Sequence, residues 1–160
     1  MKRVLVEYGS SRRGRAALLH ALRVAREGGA ELTVVAVATR ERVVGCARCR
    51  QSAVLWNREM ASLAQEALGE AAIIVGERPG TRYAVAYGDR KRALADAAAA
   101  SEAELVVVPW EPRGGLRGLF SAGLAEHLSR DDRWQVAVAP AAAVEDRGVP
   151  RELDVLVTDE

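Results

Sequence analysis

The feature that most constrains the fold is a short apolar run, Leu105–Val108, which leads into a glycine-rich segment and then a helical pattern. Its valines are β-branched and lack polar alternation, as is typical of a strand covered on both faces of a parallel sheet. Gly114, Gly115 and Gly118 allow a ligand to approach the backbone closely, and the helix that follows offers free N–H groups. Two interpretations stay open: an anion-binding site, or a plain strand-to-helix connection whose glycines permit tight packing.

Four further runs rich in β-branched residues belong to the same pattern, and stretches of helical periodicity separate them. The predicted strands are Arg3–Tyr8, Glu31–Ala38, Arg82–Tyr87 and Gln135–Ala139. The predicted helices run from the Ser10–Ser11 turn to about Glu27, from Ser52 to about Ala72, and from the Asp89 cap through Ala98. Because strand and helix alternate without an internal repeat, the predicted fold class is α/β, a doubly wound open parallel five-stranded sheet with helices on both faces.

Length and composition indicate one globular domain. The chain has 160 residues, of which 49% are hydrophobic and 28% charged, and this is enough to bury a core. The formal net charge is +1 with both signs interspersed, so neither nucleic acid nor a membrane is predicted as a partner. The sequence has no apolar run of about 20 residues, and its start passes into a strand pattern rather than a signal peptide. We therefore expect a cytoplasmic protein.

The predicted domain covers residues 1–140, and residues 141–160 form a polar tail. The tail holds one alternating segment, Leu153, Val155 and Val157. This segment is predicted either to add an extra edge strand to the sheet or to lie outside the ordered fold.

Several segments, in order and at characteristic spacing, resemble one family. They are KRVLV with a turn and an Ala/Leu-rich helix ending in GGAELTVVAVA, then VAYGD, AELVVVP, and GGLRGLFSAGLAEHLSR followed by QVAVAP. Over about residues 2–140 the chain resembles the universal stress protein family. The resemblance implies the strand order 3-2-1-4-5, a pocket for an adenine nucleotide such as ATP, and a homodimeric stress-response or regulatory module with an unknown regulatory protein as partner.

The chain departs from the family pattern at the nucleotide pocket. Family members that bind ATP carry an Asp just after the first strand, where Gly9 stands here. They also carry two spaced glycines at the loop after the fourth strand, where Pro109 and Pro112 stand, and a closing Gly-Ser or Gly-Thr, where Ala122 and Gly123 stand. Proline has no N–H to donate to a phosphate and fixes its own φ angle. ATP binding is therefore predicted to be weak or absent.

The resemblance nevertheless defines where a nucleotide would bind, and the chain offers an alternative there. In that alternative a rebuilt loop, Gly114 to Gly118, holds phosphate with the help of Arg113 and Arg117, and the protein acts as a nucleotide-binding switch. The candidate nucleotide-binding residues are Tyr8, Gly9, Ser10, Ala38, Pro109, Arg113, Gly114, Gly115, Arg117, Gly118, Ser121 and Gly123.

A C-x-x-C motif, Cys46 and Cys49, is the other candidate site. It fits a redox dithiol, half of a zinc site, or no function at all. The pattern places it in an irregular stretch after the second strand, not at the start of a helix where the thiol pKa falls. A closed zinc site needs four ligands, and the chain's only histidines are His20 and His127. We expect the pair to be reduced and free of metal; the alternative is a redox- or metal-responsive protein.

The remaining candidates concern catalysis, base stacking and assembly. Spacing places no Ser/His/Asp, Cys/His or paired-carboxylate arrangement, so an enzyme is not predicted. Trp110, directly after the fourth strand, either stacks on a base or covers the loop. The fifth strand should lie at a sheet edge, which invites pairing with a second copy. The residues of this predicted dimer edge are Gln135, Val136, Ala137, Val138 and Ala139.

Overall fold

The computed structural model describes residues 2–111 and 123–140. These residues form five strands and four helices, in alternation along the chain. In chain order they are β1 Arg3–Glu7, α1 Arg12–Glu27, β2 Glu31–Ala38, α2 Ala47–Val75, β3 Thr81–Tyr87, α3 Arg90–Ala100, β4 Leu105–Val108, α4 Leu124–Leu128 and β5 Gln135–Val138.

The five strands form one parallel sheet in the order β3-β2-β1-β4-β5, as predicted. The central strand β1 pairs on one side with β2, where Val4 lies opposite Leu32, and on the other with β4, where Val4 lies opposite Leu105. From β1 the chain first adds β2 and β3 on one side of the sheet and then β4 and β5 on the other, so the direction in which strands are added reverses between β1 and β4. A crevice at the carboxyl ends of these two strands is where ligands bind in open α/β sheets.

Both faces of the two central strands, β1 and β4, are buried, because the residues between their ends are apolar. Val4 and Val6 pack with α1 and α2 in one core cluster. Leu5, whose side chain points to the opposite face, packs with α3 and α4 in a second cluster that includes Leu94 and Leu128. The prediction of a doubly wound sheet with helices on both faces is therefore confirmed.

The helix caps follow the predicted pattern for α1 and α3. The Ser11 hydroxyl accepts a hydrogen bond from the Gly14 N–H at 3.0 Å, and the Asp89 carboxylate accepts one from the Arg92 N–H at 3.1 Å. Two predicted strands end one residue early, so Tyr8 and Ala139 lie just outside β1 and β5.

The start of α2 differs from the prediction. The sequence pattern predicted an irregular stretch up to Arg50 and a helix from Ser52, whereas α2 begins at Ala47. Cys46 is its N-cap, and its sulfur accepts a hydrogen bond from the Cys49 N–H at 3.4 Å. Thiols are not among the preferred N-cap groups, so no residue pattern indicated a helix start before Ser52.

Several predictions fall outside the residues that the structure describes. They concern the phosphate loop and the tail: Pro112, Arg113, Gly114, Gly115, Arg117, Gly118, Ser121, Ala122, Leu153, Val155 and Val157. Among the described residues, no helix combines the length and apolar character that crossing a bilayer requires.

Candidate functional site

The crevice between the carboxyl ends of β1 and β4 is built from three short segments. Gly9 and Ser10 follow β1 and lead into α1, Ala38 closes the neighbouring β2, and Pro109 follows β4 directly. Gly123 stands before α4 as its N-cap, without a side-chain hydrogen bond. The topology therefore gathers the described members of the candidate set at one end of the sheet.

An ion cluster centred on one buried carboxylate lies at the carboxyl ends of β1 and β4. Glu7, the last residue of β1, is the one charged or polar residue buried among those described, and its side chain is only 9% exposed. Arg90, the first residue of α3, donates to both of its carboxylate oxygens, from Nε at 2.5 Å and from the second nitrogen at 2.8 Å. The same guanidinium donates to Glu111, three residues beyond β4. One cation is therefore shared by two carboxylates.

The cluster keeps the Arg90 guanidinium charged and paired. Hydrogen bonding to Glu7 raises the pKa of Arg90 above its ordinary value, with Glu111 contributing in the same direction, so the guanidinium stays charged. Two carboxylates and one guanidinium leave one negative charge among these three residues. These three residues by themselves therefore offer a phosphate no free positive charge.

Sequence reasoning missed this cluster, although a signal for it was present. Glu7 directly follows the apolar residues Val4 to Val6 of β1, and a carboxylate is rarely buried unless it is paired. Its partners Arg90 and Glu111 are distant in sequence, so their convergence follows only from the fold.

Trp110 lies against the start of α1. The Arg13 guanidinium carbon stands 5.4 Å from the centre of the Trp110 ring, a cation–π distance. The ring thereby bridges the segment after β4 and the first turn of α1, across the mouth of the crevice. This contact is what a covering role requires, and it occupies one face of the ring.

Two of the altered anchors of the pocket, Gly9 and Gly123, have no close neighbours in the described part of the chain. A Cβ built on either glycine meets no atom of the described residues within 4 Å. Neither glycine is among the described glycines with a positive φ. At Gly9 a larger residue therefore meets no backbone strain and no described atom.

The Tyr8 side chain lies on the other face of the sheet from Glu7. It is buried in the cluster with α1 and α2, and its hydroxyl donates to Glu70 at 3.3 Å. Burial, and then the Glu70 carboxylate, raise the pKa of the Tyr8 phenol above its usual value. The structure therefore separates Tyr8 from the ion cluster at the crevice.

The cysteine pair lies at the amino end of α2, after the loop that follows β2. Both thiols are free and exposed, and their sulfur atoms are 2.9 Å apart. The prediction that this motif does not begin a helix is wrong, because Cys46 caps α2. Within residues 2–111 and 123–140, no three His, Cys, Asp or Glu side chains are grouped so as to hold a metal ion.

The predicted dimer edge is an edge in the structure. Among the described strands β5 pairs with β4 alone, and the side of β5 away from β4 is unpaired. Val138 is 44% exposed there, whereas Ala139 is buried.

At the amino end of the sheet, opposite the crevice, a hollow of about 610 Å³ lies beside His127 and Trp134.

Comparison with solved structures places this fold among known ones. A universal stress protein, UspA, from Lactobacillus plantarum is 20% identical, with a TM-score of 0.71, and the match covers 87% of this chain and 97% of that one. A universal stress family protein from Burkholderia pseudomallei is 21% identical, with a TM-score of 0.65 over 88% and 96% of the two chains. A universal stress protein in complex with cAMP is 17% identical, with a TM-score of 0.60 over 86% and 95%.

Comparison with curated proteins finds no match. The model of the universal stress protein family, in contrast, matches residues 1–140, which include every described strand and helix. On the strength of that match, the chain belongs to the universal stress protein family.

Proposed function

We propose that this protein is a homodimeric, non-catalytic stress-response or regulatory module of the cytoplasm that binds ATP weakly or not at all. The observation that carries the proposal is the shared ion cluster of Glu7, Arg90 and Glu111 at the carboxyl ends of β1 and β4. The Arg90 guanidinium at this end of the sheet already serves two carboxylates. A phosphate entering there would have to compete with both of them.

The altered anchors support the same conclusion. Gly9 supplies no carboxylate, Gly123 supplies no hydroxyl, and Pro109 supplies no N–H. A hydrogen bond to a charged group contributes about 1.5 to 3 kcal/mol net, so the loss of two such bonds weakens binding by roughly a hundredfold or more. Arg113 and Arg117 can recover part of this through charge-assisted bonds to phosphate.

The fold itself is compatible with an adenine nucleotide, since one of the similar structures is a complex with cAMP. For this chain we therefore regard ATP or a related adenine nucleotide as a weak ligand. The regulatory signal would then pass through a protein partner, which the chain would recruit as a dimer.

The exposed edge of β5 supports the homodimer. An unpaired strand edge presents free N–H and C=O groups to a second copy, and the exposed Val138 adds apolar area to that surface. The resemblance to the family, whose members pair through this edge, agrees with it.

Calorimetric titration with ATP and magnesium tests the proposal. We expect no binding below about millimolar concentration, which corresponds to about 4 kcal/mol. The matched comparison is a chain in which the family anchors are restored, and it should bind at least tenfold more tightly. Its substitutions are Gly9→Asp, Pro109→Gly, Pro112→Gly, Ala122→Gly and Gly123→Ser.

A micromolar dissociation constant for the natural chain would overturn the proposal. Its loss in the chain with Arg113→Ala and Arg117→Ala would then establish the nucleotide-binding switch that uses the Gly114 to Gly118 loop.

A further inference from the structure

The amino end of α2 carries two thiols in reacting distance of each other. The sulfur atoms of Cys46 and Cys49 are 2.9 Å apart, so formation of an S–S bond of about 2.05 Å needs a movement of less than 1 Å in the sulfur positions. Both side chains are exposed, so reagents in solution reach them. Proximity and access are two of the conditions for exchange between thiols and disulfides.

The start of α2 favours the thiolate form of Cys46, which is the form that acts as a nucleophile. Its sulfur accepts the backbone N–H of Cys49 at 3.4 Å, which places it at the positive end of the α2 dipole. The Cys49 thiol is the second group in contact with it. Hydrogen bonding from the Cys49 side chain, followed by its backbone N–H, lowers the pKa of the Cys46 thiol.

The preceding loop is built to hold the two sulfurs together. Gly45 has φ +91°, a conformation suited to glycine, and a Cβ placed on it would stand 3.4 Å from Cβ of Cys49. Arg50 donates to the Gly45 carbonyl at 2.8 Å and thereby ties the loop to the first turn of the helix. The loop is tied again farther along, where the Asn57 side chain accepts from Glu41 N–H at 2.8 Å and donates to the Glu41 carbonyl at 3.0 Å.

The pair is also separated from the core. Ala53 is the first residue of α2 that is buried, and the next buried one is Ala64. Oxidation at the amino end of α2 therefore leaves the packing of the sheet undisturbed. A disulfide at this place can form and break without unfolding the domain.

We propose that Cys46 and Cys49 form a reversible dithiol–disulfide switch that exchanges with small disulfides of the glutathione type. This goes beyond the regulatory module proposed above, and it does not depend on whether a nucleotide binds. Arg48 and Arg50 lie next to the cysteines in sequence, and their positive charge favours an anionic disulfide such as oxidised glutathione.

The exchange takes two steps. The Cys46 thiolate attacks one sulfur of the small disulfide, a protein–glutathione S–S bond forms, and one glutathione thiolate leaves. Cys49 then loses its proton to solvent and attacks the Cys46 sulfur, which releases the second glutathione thiolate. Both thiolates take up protons from water. The protein loses two electrons and two protons, and one small disulfide becomes two thiols.

Incubation of the reduced full-length chain with oxidised glutathione tests this. We expect the two titratable thiols to disappear, the protein mass to fall by two hydrogens without a lasting adduct, and dithiothreitol to reverse both changes. In Cys49→Ser the reaction should stop at a stable glutathione adduct on Cys46. In Gly45→Ala the same first adduct should form, but its resolution should be at least severalfold slower.

Three outcomes would overturn the switch. They are a lasting adduct on the natural chain, a disulfide between two chains in place of the internal one, and stoichiometric zinc on the purified protein by elemental analysis. The chain with both cysteines changed to serine should have the same thermal midpoint as the natural chain. Such a match would show that replacing the cysteines does not unfold the protein, so a loss of reactivity in the cysteine variants reflects the missing thiols.

Discussion

Arg90 holds the buried carboxylate of Glu7 through two parallel hydrogen bonds of 2.5 and 2.8 Å, although the two residues are 83 positions apart in the chain. The bond joins the last residue of β1 to the first residue of α3, so it fixes the start of a helix against the end of the central strand. Planar, bidentate pairing of this kind is the strong form of a charged hydrogen bond.

Arg90→Gln should therefore destabilise the domain strongly. The substitution leaves the Glu7 carboxylate buried without its cation, and breaking a buried pair in this way costs about 3 to 5 kcal/mol. Because the Arg90 side chain is about a third exposed, we expect a value near the lower end, about 3 kcal/mol. Urea unfolding measures the change.

Two controls separate this effect from a general loss of surface charge. Arg92→Gln removes an exposed guanidinium that faces Asp96 at 3.9 Å, and it should change stability by less than about 0.5 kcal/mol. Adding Glu7→Gln to Arg90→Gln should restore part of the lost stability, because no unpaired charge is then buried. Equal losses for Arg90→Gln and Arg92→Gln would show that the buried pair is not the cause.

Gly14→Ala should destabilise the domain because α1 begins in close contact with the loop before it. A Cβ built on Gly14 would stand 2.1 Å from the backbone oxygen of Gly9, so the backbone has to move. Overpacking of this kind costs about 1 to 3 kcal/mol. Thermal or urea unfolding of the variant would give the value.

Gly69→Ala is the matched control within α2. Gly69 lies in the exposed middle of that helix, and an added Cβ meets no atom of the described part of the chain within 4 Å. The exchange should stabilise the protein by about 0.5 to 1 kcal/mol, since alanine is the better helix former. If both alanine variants shifted stability in the same direction, the close approach of Gly14 to Gly9 would not be the cause.

Local sequence patterns were sufficient to predict the strands and their parallel arrangement, whereas the strand order followed from the family resemblance. Strands such as Leu105–Val108 and Glu31–Ala38 are recognisable from their β-branched residues, and the alternation of strand and helix indicates a parallel arrangement. The ion cluster was not predictable in this way. Glu7, Arg90 and Glu111 come from three separate segments, and only the strand order brings them together.

The start of α2 shows a second limit of sequence reasoning. Helix starts are recognised from Ser, Thr, Asp or Asn at the N-cap, and here a cysteine takes that position. The misplaced helix start led directly to the wrong expectation about the environment of Cys46. One local error in secondary structure thus changed the chemistry expected of a side chain.

Val138→Lys should convert the proposed dimer into a monomer. Val138 is 44% exposed on the edge strand β5, and a lysine at a strand edge opposes pairing with another strand. Tyr83→Lys is the matched control on the opposite edge of the sheet, because Tyr83 is 38% exposed on the edge strand β3. Light scattering at micromolar concentration should give a monomer mass for Val138→Lys and a dimer mass for Tyr83→Lys. A monomer mass for the natural chain would refute the dimer.

The pH midpoint of Cys46 alkylation should lie below that of an ordinary thiol, whose pKa is about 8.5. The Cys49 thiol, and then its backbone N–H, donate to the Cys46 sulfur and lower the pKa of Cys46, so the reactive thiolate persists to lower pH. Cys49→Ala removes the side-chain donor and should move the midpoint upward, while Cys49→Ser keeps a hydroxyl donor and should fall between the two. Mass spectrometry of peptides after pulsed iodoacetamide treatment measures each midpoint at Cys46 separately from Cys49. Identical midpoints in the three chains would show that the neighbouring thiol does not activate Cys46, and the helix N–H would then be its main support.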